Sequence, residues 1–577
     1  MIRCLPLNCW GLLQILLSVV VLGCGSDDVL PPEVASPRLA SSQVDLFGLA
    51  WEDFDRIGES RPDQAFDETI NRLNQWALSN VESSADVVAW QVDPLVKQLP
   101  PALRDESLLQ RLASEAFAKG DAAFLHEAIL MRDASRYIVG DAKDAVEKTQ
   151  RLFDWTVRNI RLDPFVTRLW PRENLLLGRA AQIDREWVFM MLARQQGLKV
   201  VWLATSAKET GGFRLWCPAL CHEGELYPFD LLWGAPIPSA DGKSLATLTE
   251  AAANETLLKT LDVPGKPYPI SVADLDKVAV LIAAREQFLS RRMLRVQRHL
   301  ADRFERGKSA SADRSIDERL VLHVAATDLA KEIEGYDHVE TVRLWTWPLE
   351  YGIRMRGDSA DGKRYAEDVR ALLSPFEVEH FVRVETRESK DPSNRLQPGG
   401  DVERGYETHT WPLWTGRLHH LAGRLEADQE EESRQGSESA AIPFYLLART
   451  TMQDLARLQQ SQKQLSKQQV AIERYKFSRL RLDSDVWLGM IRYEQQDYAN
   501  AVDFYGRALK MVGTGPDASP IRYNLGRALE AMGKTDEAIE HYRKERSPAS
   551  LLRVREIESR QGSETEQHSK PDTEPTP

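Results

Sequence analysis

The stretch Cys217-Pro-Ala-Leu-Cys221-His222 puts two thiols and an imidazole within six residues. Such groups can ligate a soft metal, close a disulfide, or act as a nucleophile with its base. The spacing is one residue longer than the CxxCH at which haem is attached. The stretch reads as a strand, where residues four apart stand about 13 Å from one another, beyond the reach of a disulfide. A bulge at Pro218 would shorten that distance. Three readings follow: buried or edge thiols, a strained bridge, and a metal or haem site.

The elements around these residues set what they can do. Lys199–Thr205, Gly212–Cys221 and Glu225–Gly234 read as strands, the last two joined by a tight turn at "HEGE". Before them, "AKDAVEKTQRLFDWTVRNIRL" (142–162) is an amphipathic helix. Then "GRAAQIDREWVFMMLARQQG" reads as a glycine turn, a helix apolar nearly all round, and a stop at Gly197. Asp184 suits the N-cap of a helix over 185–196. Residues 141–265 are therefore expected to form a mixed α+β domain.

The order of elements over 142–262 resembles the transglutaminase-like branch of the papain-type fold. In that family a helix precedes the catalytic helix, whose cysteine lies well before the glycine that ends it. A strand led by histidine, a hairpin and an aspartate follow. Counting back fifteen residues from Gly197 puts Gln182 at the cysteine position, with Asp184 at an acidic position two further on. The histidine position falls at Leu215, between Arg214 and Trp216, and the aspartate is Asp230. The resemblance implies a scaffold whose triad has lost thiol and imidazole, because neither an amide nor a leucine can act as nucleophile or base. No catalytic residue, cofactor or metal is expected. The alternative is an enzyme with a displaced nucleophile at Cys217 or Cys221.

At the N-terminus, residues 10–23 form an apolar core after Arg3, short for a bilayer-spanning helix of roughly 20 residues. It ends in Val21-Leu22-Gly23-Cys24, which resembles a bacterial lipobox. The resemblance implies cleavage before Cys24, lipidation of its thiol and a stable membrane anchor. Gly25 in place of aspartate implies a periplasm-facing site, consistent with the outer membrane. Of five cysteines, Cys4 and Cys9 would leave with the signal peptide and Cys24 would be the anchor, so no disulfide framework holds the fold.

The C-terminal third repeats. Trp487–Met511 and Tyr523–Glu545 align on Gly489 and Gly526, 37 residues apart, and match Ala501 with Ala538 and Tyr505 with Tyr542. These positions are similar to the small and aromatic positions of tetratricopeptide repeats, which pack helices closely and hold peptides or proteins on a concave face. A preceding helical pair is expected from 443–480, because two repeats alone make no stable solenoid. "SPASLLRVREIESRQ" would be the capping helix.

The whole chain then reads as α+β and mostly helical. It comprises a lipoprotein signal peptide (1–23), a tether (24–45), a helical region (46–140), the transglutaminase-like domain (141–265), a second helical region (266–424), an acidic linker (425–442), the repeat region (443–558) and a disordered tail (559–577). "TWPLEYG" (346–352) and "TWPLWTG" (410–416) resemble each other and read as packing corners or a degenerate duplication. A net charge of −13 argues against nucleic acid, whose binders need clustered cations. No phosphate-binding glycine loop or HExxH helix is present. The run from Gly224 to Leu248 is also similar to one in a set of planctomycete cell-envelope proteins. The expected partners are a membrane, through the lipid, and an unidentified envelope protein or peptide, through the repeats.

Overall fold

The computed structural model describes residues 44–55, 62–80, 90–163, 168–207, 212–307, 320–355, 359–378, 380–386, 403–409, 411–426, 440–449 and 466–568. The signal peptide, Cys24, most of the acidic linker and the last nine residues lie outside these. From Leu46 onward the contacts tie the chain into one unit. No described helix is long and apolar enough to cross a membrane.

The chain opens with helices α1 (Leu46–Asp55) and α2 (Pro62–Ser79), followed by α3 (Lys119–Val139) and α4 (Ala145–Asn159). The side chain of Asp144 caps α4 by accepting from the N–H of Glu147. A two-residue parallel pairing joins β1 (Arg161–Leu162) to β2 (Arg179–Ala180). Between them, the helix Pro171–Leu177 ends at Gly178 in the left-handed region. A Cβ on Gly178 would lie 3.2 Å from the carbonyl oxygen of Asn159 and 3.2 Å from the Trp487 indole, so both conformation and space call for glycine there. Helix α5 (Gln182–Gln195) follows.

The main sheet begins with β3 (Val200–Ala207), β4 (Gly212–His222) and β5 (Glu225–Asp230). Glu223 and Gly224, both at positive φ, form the two-residue turn between β4 and β5, the conformation that matches strand twist. The short β6 (Ala235–Pro236) forms one edge. On the other side β3 pairs with β7 (Val278–Ala283), and β7 runs parallel to β8 (Val339–Trp345). The sheet order is β6-β5-β4-β3-β7-β8. A separate hairpin joins β9 (His380–Thr386) to β10 (Glu403–His409).

The region 266–424 was expected to be helical, but β7 and β8 extend the central sheet from within it and the β9–β10 hairpin lies in it as well. Val278-Ala-Val-Leu-Ile-Ala is buried along almost its whole length. A strand covered on both faces shows no alternation, so its apolar run is indistinguishable by periodicity from helix. The two TWP motifs both open helices with proline in the first turn, α6 (Trp347–Arg354) and α7 (Pro412–Leu421).

Helix α8 (Ala441–Arg449) packs between α7 and α9 (Lys467–Glu494). Then come α10 (Tyr498–Val512), α11 (Ala518–Ala531), α12 (Thr535–Glu545) and α13 (Pro548–His568). Ahead of the repeats α8 packs against α7, and α9 supplies the first helix of the first repeat; much of the 443–480 stretch expected to hold a preceding helical pair lies outside the described residues. The cap α13 continues to His568, beyond the expected start of the tail at 559.

Candidate functional site

Helix α5 begins at Gln182, with Ala181 extended before it, so Asp184 is the third helical residue and not the N-cap. Trp187 through Ala193 are buried without interruption. A helix this enclosed also carries its first-turn charges inward: Asp184, Arg185 and Glu186 are all buried. The Gln182 amide donates to Glu186 at 3.3 Å. Arg185 crosses to the carbonyl oxygens of Ile160 (3.4 Å) and Leu231.

Asp230 stands at the end of β5, 4% exposed. One carboxylate oxygen accepts the N–H of Trp233 at 2.8 Å, and the other accepts the Tyr268 hydroxyl at 3.0 Å. The Trp216 indole in turn donates to the Tyr268 oxygen at 2.9 Å. Asp230 and Glu186 lie close enough to repel. Burial, and then Asp230, push Glu186 well above the usual carboxylate range. Burial also raises Asp230, against the hydrogen bonds from Trp233 and Tyr268. Burial carries Asp184 up to about 7, with Arg168 opposing it.

Glu186 is thus hydrogen-bonded to Gln182 and near enough to Asp230 to be repelled by it. Leu215 stays outside the hydrogen-bonded chain Trp216–Tyr268–Asp230, which its neighbour Trp216 begins. The β3–β4 register explains the difference. Trp202 pairs with Pro218 and Ala204 with Leu215, so Trp216 and Cys217 together oppose Leu203 alone. This bulge lies directly before Pro218. Glu186 and Tyr268 were not anticipated from sequence. A signal for Glu186 was present: a carboxylate one turn after Gln182 on an otherwise apolar helix.

Cys217 and Cys221 are free and buried, as the first of the three sequence readings holds. Burial, then Asp230 and Glu186, raise Cys217 well above the usual thiol range. Burial lifts Cys221 to about 12. Protonated thiols are poor nucleophiles and poor ligands. Among the described residues no histidine hydrogen-bonds to Gln182, Glu186 or Asp230, and no three His, Cys, Asp or Glu side chains converge as a metal would require.

The repeats supply the second candidate. Gly489 faces Tyr505, and a Cβ there would lie 2.7 Å from its ring; Gly526 faces Tyr542 at 2.6 Å. Ala501 and Ala538 are fully buried at the same helix crossings. The first helices, α9 from Arg479 onward and α11, are buried on many sides, whereas α10 buries only Ala501, Tyr505 and Ala508, and α12 only Ala538 and Tyr542.

The reason is that the inner face of the repeats lies on the chain itself. Glu494 accepts from Tyr137 of α3 at 2.8 Å and from Asn159 of α4 at 3.4 Å. The Asn524 amide donates to the Arg158 carbonyl at 3.0 Å. Arg161 reaches Asp483 at 3.1 Å, within a buried group completed by Arg479. Part of the repeat surface that could hold a peptide or protein is therefore already covered within the chain.

Residues 480–546 match the family model of the tetratricopeptide repeat. The C-terminal part of this mostly helical α+β protein is thus a tetratricopeptide-repeat array, a type of protein-interaction module. No curated protein and no solved structure is significantly similar to the chain.

Proposed function

We propose that this protein is a membrane-anchored envelope scaffold, with a catalytically inactive transglutaminase-like domain and repeats that bind a protein or peptide. The observation that carries the reading is the cluster at Gln182. The position of a nucleophile holds a neutral amide, and the groups around it are buried carboxylates, which oppose formation of a thiolate. The lipobox-like end of the signal peptide at Cys24 supports anchoring. The repeat match supports a protein partner. With the inner face occupied, the partner would dock on the outward sides of α10 and α12.

A photo-crosslinking residue at Met511, 40% exposed on α10, tests the partner. The expected result is one defined adduct in envelope fractions. The same residue at buried Tyr505 should give none. Absence of any adduct from Met511 and from a matching scan of α12 would remove the scaffold reading. Amine incorporation or peptide cleavage by the purified chain would remove the inactive-domain reading.

A further inference from the structure

A cavity of ≈ 550 Å³ is lined by none of the residues of either candidate site, and the functional reading above makes no use of it. It opens where the parallel strands β7 and β8 end. Arg285, Glu286 and Gln287 follow β7, while Pro348 and Leu349 of α6 follow β8, and all five line it. Crevices beyond the carboxyl ends of parallel strands are where open sheets bind ligands, and this volume suits a small molecule. The opposite wall is the first turn of α3, with Lys119 and Gly120, whose helix dipole favours negative charge.

The charges in the wall leave a positive balance. Each carboxylate has an arginine: Asp121 with Arg292 at 2.8 Å, Glu127 with Arg285 at 2.8 Å, Glu286 with Arg111 at 2.9 Å, and Glu173 with Arg172 at 2.6 Å. Lys119 is the fifth cation, and its partner Asp67, 3.3 Å away, is not part of the cavity wall. Three of the arginines each keep one buried nitrogen with no protein acceptor: Nη2 of Arg111, Nη1 of Arg172 and Nε of Arg285. Arg285 is only 7% exposed and is held between Phe124 (4.5 Å) and Trp170 (5.0 Å). Arginines fixed in a wall with a positive balance favour planar oxyanions. Trp170, Pro348, Leu349 and Met355 give the remaining wall an apolar character.

We propose that this cleft binds a small carboxylate with an apolar or aromatic body, either a free organic acid or the carboxyl terminus of a peptide. Calorimetry on the intact chain with N-benzoylglycine as probe is the test. Saturable binding is expected, weakened at least about tenfold when the carboxylate is replaced by carboxamide. Lys119→Glu and Gly120→Phe should weaken it by a similar factor without lowering Tm. Lys119 is exposed, and a Cβ on Gly120 meets nothing closer than 3.6 Å, so both variants should fold. A peptide acid that displaces the probe identifies the carboxyl-terminal source; failure to displace identifies the free acid. No saturable heat, equal binding of the carboxamide, equal displacement by inorganic phosphate, or unchanged affinity in both variants would overturn the proposal.

Discussion

The hydroxyl of Tyr137 donates to the largely buried carboxylate of Glu494 at 2.8 Å, across 357 residues of chain. This bond links the long helix α3 to the end of the first repeat helix, and it lies on the face that a free repeat array would offer to a partner. The repeats are therefore part of the body's core as well as a binding module. Tyr137→Phe should cost about 1.5–3 kcal/mol, the range for a hydrogen bond to a charged group. Urea unfolding followed separately by a probe on α12 and one on the sheet should show the two transitions moving together. A repeat transition that moves alone would contradict the shared core.

Gly489→Ala and Gly526→Ala should each destabilise the protein by about 1–3 kcal/mol, because the added methyl meets a buried tyrosine ring below 3 Å. Gly506, with open space around its Cβ, is the control. Equal Tm changes at all three positions would show that helix propensity, and not the Gly–Tyr contact, decides.

Introducing the missing groups should not create an enzyme. In Gln182→Cys with Leu215→His, the thiol would sit beside Glu186, and the imidazole would replace a side chain outside the Trp216–Tyr268–Asp230 chain. Iodoacetamide should label the new thiol no faster than an ordinary cysteine at pH 7. Rapid labelling with amine incorporation would show that the scaffold retains catalytic geometry.

Asp184 makes stability fall with rising pH. Its carboxyl has a folded pKa of about 7 against an ordinary value of 3.8. Between those values the folded state holds the proton more tightly, so stability is greatest at the acidic end and declines as pH rises to about 7. The shift of about three units sets an upper bound of about 4 kcal/mol. Asp184→Asn should flatten the profile and raise Tm at pH 8. An unchanged pH slope would show that Asp184 is not buried as an acid.

Cys217 and Cys221 should resist labelling in the native protein and react fully in denaturant. Native labelling as fast as denatured labelling would revive a displaced nucleophile. Mass analysis of the membrane-extracted protein tests Cys24 separately: a diacylglyceryl mass on the N-terminal peptide is expected, and Cys24→Ser should abolish it.

Much of the local structure is legible in the sequence. The Glu223-Gly224 turn, the stop at Gly197, and the Gly489–Tyr505 and Gly526–Tyr542 spacing all follow from backbone conformation and side-chain size over a few neighbouring residues. The buried helix ending near Gly197 was legible for the same reason, but it starts at Gln182, ahead of the expected cap at Asp184. The sequence alone did not indicate that Val278–Ala283 adds a strand to the sheet, because a run buried on both faces has lost its period. Nor did it show that a bulge brings Trp216, and not Leu215, into the chain leading to Asp230, or that Glu186, beside Asp230, accepts from Gln182. The occupied inner face of the repeats belongs to the same class. Sequence spacing determines which faces of an element are apolar or small. Which surface covers each face depends on contacts such as Tyr137–Glu494, between residues that only the tertiary fold brings together.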